Sequence, residues 1–301
     1  SIRRSDLTII GDTLEADRPT WGWSPTAGSG QKWPFDVRGG GPEGGGHRVR
    51  GEVRLGQRII DLVDLVESPP EWVRLTAMDF GDVPLPCLDG RDVERYNRHQ
   101  RQLFRVIESE SRDGYTRLTL DRAINLALPE ETAPTLTPTR LLTGLHLENI
   151  HLLADCPEAL ASTFMEVECT NPEVLDDGGV LSLYTEGTRL QKISAQGFGK
   201  FTIEVRDSLL NVVEDCSMDH PSAYGSGGQG YGVHLIGASR SLIVGERVSY
   251  ARHGVVIDFG SSDSQVLEGE FSHMNQALID VHGEASRDTL IRGNRLERGG
   301  L

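Results

Sequence analysis

A pattern of alternating apolar and polar positions recurs near the C-terminal end of the chain. It is read in Tyr231-Gly-Val-His-Leu-Ile, His253-Gly-Val-Val-Ile-Asp and Asn275-Gln-Ala-Leu-Ile-Asp, which follow one another at a spacing of 22 residues. The alternation has the two-residue period of a β-strand. Shorter apolar segments separated by Gly, Ser and Asp turns lie between the copies, so each repeat predicts one turn of a coil built from two or three short strands.

One turn of such a coil has no partner against which to bury its apolar face, so several turns must stack. The Leu-x-x-Leu-x-Leu pattern of leucine-rich repeats is missing, and the repeat therefore predicts a parallel β-helix. Regular turns extend back through Phe201-Thr-Ile-Glu-Val and Gly179-Val-Leu-Ser-Leu to Leu145. A constant spacing predicts two inward columns, which consist of Val233, Val255 and Ala277 and of Leu235, Ile257 and Ile279.

The Gly-Val-x-Leu and Asn-x-Leu turns, together with the opening Ser5-Asp-Leu-Thr-Ile-Ile-Gly, resemble the pectin-lyase-like superfamily of right-handed parallel β-helices. This superfamily includes pectate lyases, polygalacturonases, alginate epimerases and phage tailspikes. The resemblance is clearest from about residue 141 to residue 301. It implies an all-β right-handed parallel β-helix that acts outside the cell, or on a virion surface, on a polysaccharide partner and that assembles as a homotrimer.

The pattern predicts a single β-helix domain over residues 1–301, interrupted by an inserted antiparallel β unit over residues 70–140. Within the insertion, longer alternating strands such as Gln102-Leu-Phe-Arg-Val-Ile precede a Thr- and Pro-rich stretch. Residues 1–20 are interpreted as an early strand pair, and the segments at Val49 and Arg58 as further coil strands. Residues 21–47 contain three tryptophans and two glycine runs without a period, which predicts a long loop.

Charge narrows the set of partners. Among 301 residues, 45 Asp and Glu outnumber 30 Lys and Arg, which gives a formal net charge of −15. Such a surface argues against nucleic acid as a partner, because phosphate neutralisation needs basic residues. There is no run of eighteen apolar residues and no apolar signal core at Ser1-Ile-Arg-Arg, so the sequence predicts no membrane span. The chain is interpreted as a mature product or a piece of a longer protein.

The cysteine spacing gives no metal motif. Cys87, Cys156, Cys169 and Cys216 contain no CxxC pair, which argues against a zinc site. Buried small residues suit the interior of a β-helix, so packed thiols are expected rather than disulfides. No metal site is assigned, although calcium held between Asp258 and Asp280 is considered as a cofactor.

Reading the outward positions in the same register collects polar side chains on one face. Asp258 and Asp280 are predicted to lie side by side at about 4.8 Å, the distance between stacked strands. Close carboxylates repel and should raise the pKa of one of them, which is typical of functional sites. The candidate catalytic residues are His253, Asp258, Asp280, His282, Tyr231 and Arg252. The candidate substrate-binding residues are His234, Glu284, Tyr224, His220 and Asn275.

Two of these candidates come from a long glycine-containing interruption of the repeat. Residues 219–230, which contain His220 and Tyr224, replace a turn of a few residues. Loops on a rigid scaffold often carry function. Separately, the segment Asp280-Val-His-Gly-Glu resembles the Asp-Pro-His-Glu motif of alginate epimerases, which implies a catalytic role for Asp280 and His282.

Three functions fit these residues. In β-elimination on a uronic-acid glycan, Arg252 would neutralise the sugar carboxylate, His253 would act as the base and Tyr231 as the acid. In hydrolysis, Asp258 and Asp280 would be the paired carboxylates, helped by Glu284. A third reading is a non-catalytic glycan-binding adhesin. The sequence favours elimination slightly over hydrolysis, and an adhesin would instead use the tryptophans Trp21, Trp23, Trp33 and Trp72.

Overall fold

The structure is a computed structural model that describes residues 7–10, 20–23, 33–77, 101–125, 127–154, 156, 169, 177–224, 228–281 and 286–298. For residues 20–23 it describes the backbone alone. The described residues form β-strands, numbered here along the chain, and a single 3-10 turn at Glu130–Thr132. They contain no helix long and apolar enough to cross a membrane.

Three parallel sheets form the walls of a coil, as the sequence predicts. Sheet 1 contains β3 (Phe35–Arg38), β14 (Val180–Leu183), β18 (Phe201–Arg206), β21 (Tyr231–Ile236), β24 (His253–Asp258) and β27 (Ile279–Val281). Sheet 2 contains β1 (Thr8–Ile10), β12 (His146–Glu148), β16 (Arg189–Gln191), β19 (Val212–Glu214), β22 (Leu242–Val244), β25 (Gln265–Leu267) and β28 (Leu290–Arg292). Sheet 3 contains β2 (Thr20–Trp23), β13 (His151–Ala154), β17 (Ser194–Gln196), β20 (Ser217–Asp219), β23 (Arg247–Ser249), β26 (Glu270–Ser272) and β29 (Arg295–Glu297). A short parallel pair, β11 (Leu142–Thr143) and β15 (Thr185–Glu186), lies at one corner.

The corner between sheet 2 and sheet 3 is built in the same way in successive turns. One residue in the left-handed backbone region reverses the chain, and glycine adopts that region without steric cost. A Cβ on Gly245 would lie 2.4 Å from Oδ1 of Asp215 in the preceding turn, so a larger residue there would require the Asp215 side chain to move. The corner residues are Asn149, Lys192, Asp215, Gly245, Glu268 and Gly293.

The core of the coil lies between the three sheets. Val233, Val255, Leu235 and Ile257 are fully buried in it, as the alternating pattern predicts. The third copy of the repeat departs from the expected spacing: Val255 pairs with Ile279, not with Ala277. The chain between β24 and β27 therefore contains two more residues than the turn before it, and the predicted inward columns are wrong at this last step.

An antiparallel sheet interrupts the coil after its first turn. Its strands are β4 (Gly41–Pro42), β5 (His47–Arg48), β6 (Ile59–Leu62), β7 (Trp72–Thr76), β8 (Arg101–Arg112), β9 (Tyr115–Leu120) and β10 (Thr135–Arg140). The sheet thus starts well before residue 70. The segments at Val49 and Arg58, expected to be coil strands, lie with this sheet, because β6 pairs with β9 and Val49 bridges to Leu62. Residues 21–47 are also not a continuous loop, since they include β3 and β4.

A buried ionic contact joins the antiparallel sheet to the coil. The Asp207 carboxylate, at a corner of the coil, lies 2.9 Å from an Arg101 guanidinium nitrogen and 3.8 Å from one of Arg74. Arg74 also donates a hydrogen bond of 3.1 Å to the Tyr184 hydroxyl. Burial raises the pKa of Asp207, and the surrounding arginines oppose that rise. The antiparallel sheet is therefore attached to the coil by specific polar contacts as well as by apolar packing.

The cysteine expectation was wrong for one pair. Cys156 and Cys169 form a disulfide, with their Cα atoms 5.5 Å apart. Cys216 is a buried free thiol, as expected, and burial raises its pKa well above the usual range. Cys87 lies outside the described residues. Sequence spacing alone carries no information on which cysteines meet in space, because the pairing depends on the course of the chain between them.

Glu246 is a carboxylic acid inside the coil. It is fully buried, and its Oε1 accepts a hydrogen bond of 3.2 Å from the Cys216 backbone N–H. Burial raises the pKa of this carboxyl well above its usual range. Because the pKa of Glu246 is higher in the folded than in the unfolded chain, the neutral carboxyl favours the folded state. This contribution to the free energy of unfolding is complete below the pKa that Glu246 has in the unfolded chain. It is lost as pH rises from there to the pKa of the folded chain.

We expect the Glu246→Gln substitution to flatten the pH dependence of the free energy of unfolding. In the unsubstituted chain, each pH unit above the unfolded pKa of Glu removes about 1.4 kcal/mol for one proton, until the folded-state pKa is reached. Gln keeps the hydrogen-bond acceptor and cannot ionise. Urea unfolding from mildly acidic to neutral pH measures both slopes. Identical slopes for the two proteins would contradict a neutral buried Glu246.

Candidate functional site

The outward face of sheet 1 carries the candidate chemistry. Because strand residues alternate between faces, the positions between the inward valines and leucines point away from the core. The register puts Glu204 beside His234 and His234 beside Val256, and the next column has Arg206 beside Ile236 and Ile236 beside Asp258. Three successive strands therefore supply acidic, basic and imidazole groups to one surface.

Aromatic rings cover this surface. The Trp33 and Phe201 rings stack with centroids 6.4 Å apart, and the Tyr231 ring meets Phe201 edge-on at 5.4 Å. The His234 imidazole lies 4.5 Å from the Phe201 ring. Trp33, Phe201 and Tyr231 form an apolar cluster with Leu181 and Val256 outside the main core. The three rings are themselves buried, at 9%, 8% and 7% exposure, so they pack over the charged groups and exclude water from them.

His234 lies between two carboxylates. Its Nδ1 is 4.0 Å from Glu204 Oε2, and its Nε2 is 3.7 Å from Asp258 Oδ2. The side chains of all three residues are at most 5% exposed. On the far side, Arg206 binds Glu204 at 2.5 Å, and its guanidinium side chain is 39% exposed. The cluster of Glu204, His234, Asp258 and Arg206 is therefore buried at its centre and reaches solvent at Arg206.

The contacts of His234 are too long for direct hydrogen bonds. Among the residues that the structure describes, neither ring nitrogen of His234 nor Oε2 of Glu204 has a hydrogen-bond partner. Buried polar atoms normally have a partner, so atoms without one point to a bridging water or a ligand group. In enzymes without substrate, catalytic hydrogen bonds are often long and shorten only in the substrate complex.

A second imidazole–carboxylate pair lies beside the first group. His253 Nδ1 is 3.5 Å from Asp280 Oδ2, and the His253 ring meets the Tyr231 ring edge-on at 4.8 Å. The Arg252 guanidinium lies 5.7 Å from the centre of the Tyr231 ring, and its Nε donates a hydrogen bond to Gln276 Oε1. Burial raises the pKa of the Tyr231 hydroxyl, and Arg252 partly offsets that rise. Tyr231 is therefore a neutral proton donor near neutral pH.

The structure thus brings together six of the sequence-derived candidates. They are Tyr231, His234, Arg252, His253, Asp258 and Asp280. The expected side-by-side arrangement of Asp258 and Asp280 is wrong. The two additional residues before β27 place Asp280 opposite Val256 instead, where its carboxylate contacts His253. Each carboxylate therefore has a histidine neighbour of its own.

Three other candidates lie elsewhere. His220 stacks on Tyr250 at 4.4 Å, and Tyr250 stacks on His273 at 4.7 Å, because these residues occupy the same corner in successive turns. The Tyr224 hydroxyl donates a hydrogen bond of 2.7 Å to the Tyr250 carbonyl. Asn275, expected beside His253, is exposed and its backbone N–H bonds to Ala251. Their contacts suit a structural role at the corner.

The remaining candidates are His282, Glu284 and the four tryptophans. His282 and Glu284 lie outside the described residues, and the side chains of Trp21 and Trp23 are not described. Trp72 is buried with Leu103 and Leu209 where the antiparallel sheet meets the coil. Trp33 is the one tryptophan that the structure places in the aromatic row, among those whose side chains it describes.

Glu204, Arg206 and Phe201 belong to the site but were not singled out from the sequence. Their strand was recognised, but β18 and β21 are separated by the long interruption at residues 219–230, which hides the equivalence of Glu204 and His234. Aligning Phe201-Thr-Ile-Glu-Val with Tyr231-Gly-Val-His-Leu by their apolar residues would have revealed it.

Metal binding is not supported by a local ligand set. Within the described ranges, there is no group of three or more His, Cys, Asp or Glu side chains placed to hold a metal ion. The register also separates Asp258 from Asp280 by two positions along the strand. Calcium binding therefore stays a prediction, and no step of the chemistry below depends on it.

Comparisons with known proteins support the fold. Neither a protein-family model nor a curated protein matches the sequence. Among solved structures, the gp54 tailspike of Acinetobacter baumannii bacteriophage AP22, in complex with A. baumannii capsular saccharide, matches with a TM-score of 0.64 and 9% identity, over 97% of this chain and 43% of the tailspike.

Two further tailspikes are more distant. The gp49 tailspike of Pseudomonas phage LKA1 matches 92% of this chain and 49% of its own length, with 11% identity and a TM-score of 0.43. The gp61 tailspike of Pseudomonas phage phi297 matches 98% and 52%, with 10% identity and a TM-score of 0.43. The chain spans about half of the length of these proteins. The fold prediction, an all-β parallel β-helix with an antiparallel insertion, is confirmed.

Proposed function

We propose that the chain is a glycan-cleaving protein that hydrolyses a polysaccharide with Glu204 and Asp258 as its two carboxylates. The observation that carries this proposal is the placement of His234 between the two acids, beneath a row of aromatic rings. Glycoside hydrolysis needs one carboxylic acid to protonate the leaving oxygen and one carboxylate to activate water or attack the sugar. Glu204 and Asp258 supply both from the same surface.

The two carboxylates come from β18 and β24, which flank the strand of His234, and the His234 ring lies between them. In such a pair one group protonates the leaving oxygen and the other activates water or attacks the sugar, so the anomeric configuration of the products distinguishes the two roles. The bound saccharide of the gp54 tailspike, which has the same fold, supports a glycan as the ligand.

A second candidate is β-elimination on a uronic-acid glycan. The observation that favours it is the contact of His253 with Asp280 next to the protonated Tyr231. In this mechanism His253 is the base and Tyr231 is the acid. Elimination also needs a cation to neutralise the sugar carboxylate. The two nearest arginines already have side-chain partners, since Arg206 binds Glu204 and Arg252 binds Gln276. Hydrolysis therefore ranks first.

The test is incubation with a panel of acidic and neutral capsular polysaccharides, with and without added calcium and with chelator. New reducing ends without ultraviolet-absorbing products indicate hydrolysis, and proton NMR of the first products reports the anomeric configuration. Absorbing unsaturated products would indicate elimination and overturn the leading proposal. Glycan binding without any product would indicate the adhesin. The homotrimer and the extracellular or virion location stay predictions from the resemblance.

A further inference from the structure

A polar cavity lies where the antiparallel insertion meets sheet 1. It has a volume of about 460 Å³ and is lined by Arg38, Gly39, Gly40, Arg140, Leu141, Leu142, Leu183 and Tyr184. Ligand pockets usually have volumes of about 300–1,000 Å³. None of the proposed catalytic residues lines this cavity, so it is a separate site.

The charged residues that line the cavity are two arginines, Arg38 and Arg140. The Arg140 side chain is exposed, and the Arg38 side chain is 40% exposed. Two carboxylates lie close by: Asp36 binds the Arg38 Nε at 2.5 Å, and Glu43 Oε1 lies 3.3 Å from the position of a Cβ on Gly40. Arginine binds carboxylate and phosphate groups with its planar fork, so the guanidinium nitrogens that are not bound to Asp36 fit an anion.

The walls of the cavity are built by close backbone contacts. A Cβ on Gly39 would lie 2.1 Å from the Tyr184 carbonyl oxygen, and a Cβ on Gly40 would lie 3.0 Å from the Arg140 Cβ. Gly39 also donates a backbone hydrogen bond to Leu183, and Tyr184 accepts one from Leu142. The glycine run therefore allows the insertion to approach the coil closely enough to hold both arginines around one cavity.

The cavity and the proposed cleavage site lie along the same outward column of sheet 1. Arg38 pairs with Leu183, and Leu183 pairs with Arg206, whose guanidinium binds Glu204. Arg38 and Arg206 are therefore two strands apart in one outward column, at about 10 Å between backbones. A short oligosaccharide can contact both places at once.

We propose that this cavity binds the anionic substituent, a carboxylate or a phosphate, of an acidic glycan whose neighbouring sugars occupy the Glu204–His234–Asp258 site. The binding of the anion stands on the arginines alone, and the link to cleavage rests on the proposed function. Each charge-assisted contact from Arg38 or Arg140 orients the glycan along sheet 1 and fixes which linkage lies beside the two carboxylates.

The experiment uses three small probes: glucuronate, glucose 6-phosphate and neutral glucose. Titration into protein with ¹⁵N-labelled arginine, followed through the Nε–Hε signals, is expected to shift the signals of Arg38 and Arg140 with one or both anions and not with glucose. Arg140→Gln should weaken anion binding about tenfold or more, because a hydrogen bond to a charged group is lost. Arg247→Gln, which removes an exposed arginine on sheet 3, is the matched control and should leave binding unchanged.

The outcomes separate the two proposals. A response to glucuronate alone identifies a carboxylate, and a response to glucose 6-phosphate alone identifies a phosphate. No response to either anion, an equal response to glucose, or full affinity in the Arg38→Gln/Arg140→Gln protein would overturn the anion site. Glu204→Gln should lower the rate of cleavage by a factor of about 10² to 10⁴ and keep anion binding. If no glycan is cleaved but anion binding still depends on the arginines, the proposed function fails while the anion site stands.

Discussion

Replacing Glu204 by Gln is expected to lower the rate of glycan cleavage by a factor of about 10² to 10⁴, the usual contribution of general acid–base catalysis. Gln has nearly the same shape and keeps an acceptor for Arg206, which binds the carboxylate at 2.5 Å. It can neither give a proton to the leaving oxygen nor take one from water. Turnover of the best glycan from the panel measures the loss, and thermal unfolding checks that the fold is kept.

A matched control is available on another wall of the coil. Glu214 in β19 on sheet 2 forms an ion pair with Arg189, and Glu214→Gln makes the same chemical change away from the site. This variant should keep full activity. Asp258→Asn should resemble Glu204→Gln in lowering the rate. If both site variants stayed as active as the Glu214 control, the two carboxylates would not be the catalytic pair.

Replacing Phe271 by Ala is expected to lower the free energy of unfolding by about 3–5 kcal/mol, the range for removing a buried phenyl ring. Phe271 is 1% exposed and fills the coil between successive turns. A Cβ on Gly254 would lie only 2.6 Å from its ring, which shows how closely the backbone approaches it. Removing the ring leaves a cavity that the rigid stack of turns cannot close. Urea unfolding measures the loss.

An exposed residue of the antiparallel sheet supplies the control for this change. Ile107 in β8 is an apolar strand residue that is 56% exposed. Ile107→Ala should change the unfolding free energy by no more than about 0.5 kcal/mol, as is usual for surface positions. Equal destabilisation by the two substitutions would mean that burial does not decide the loss of stability.

The apolar alternation was enough to predict the coil and its inward residues. Every turn must bury the same face, so apolar residues recur at the positions of Val233, Leu235, Val255 and Ile257. Their spacing therefore predicts the fold. The alternation was also enough to place His234 and Asp258 on one outer surface, since β21 and β24 are joined by an uninterrupted turn. Tyr231 and His253 lie two residues before the inward Val233 and Val255, so alternation alone does not account for their place on that surface.

What the sequence could not show depends on the lengths of the corners. A corner can gain residues without changing the strands on either side, so a constant spacing is an assumption that fails between Ile257 and Val281 and again between Val205 and Leu235. The first failure misplaced Asp280, and the second concealed Glu204. The early start of the antiparallel sheet was missed because it is set by the pairing of distant segments, such as β4 with β10. The disulfide joins cysteines only 13 residues apart, and it was missed because their spacing does not show whether the chain between them brings the two sulfur atoms together.

The variable corners have a consequence for how such a protein can change its ligand. Val205, Leu235, Ile257 and Val281 follow one another at intervals of 30, 22 and 24 residues, yet they pair in register on adjacent strands. The extra residues thus lie in the corner segments, where they change the shape of the surface and leave the pairing of the strands unchanged. If one corner segment is exchanged between two β-helix proteins of this kind, the protein that receives it should gain the ligand preference of the donor. It should still unfold in one cooperative transition.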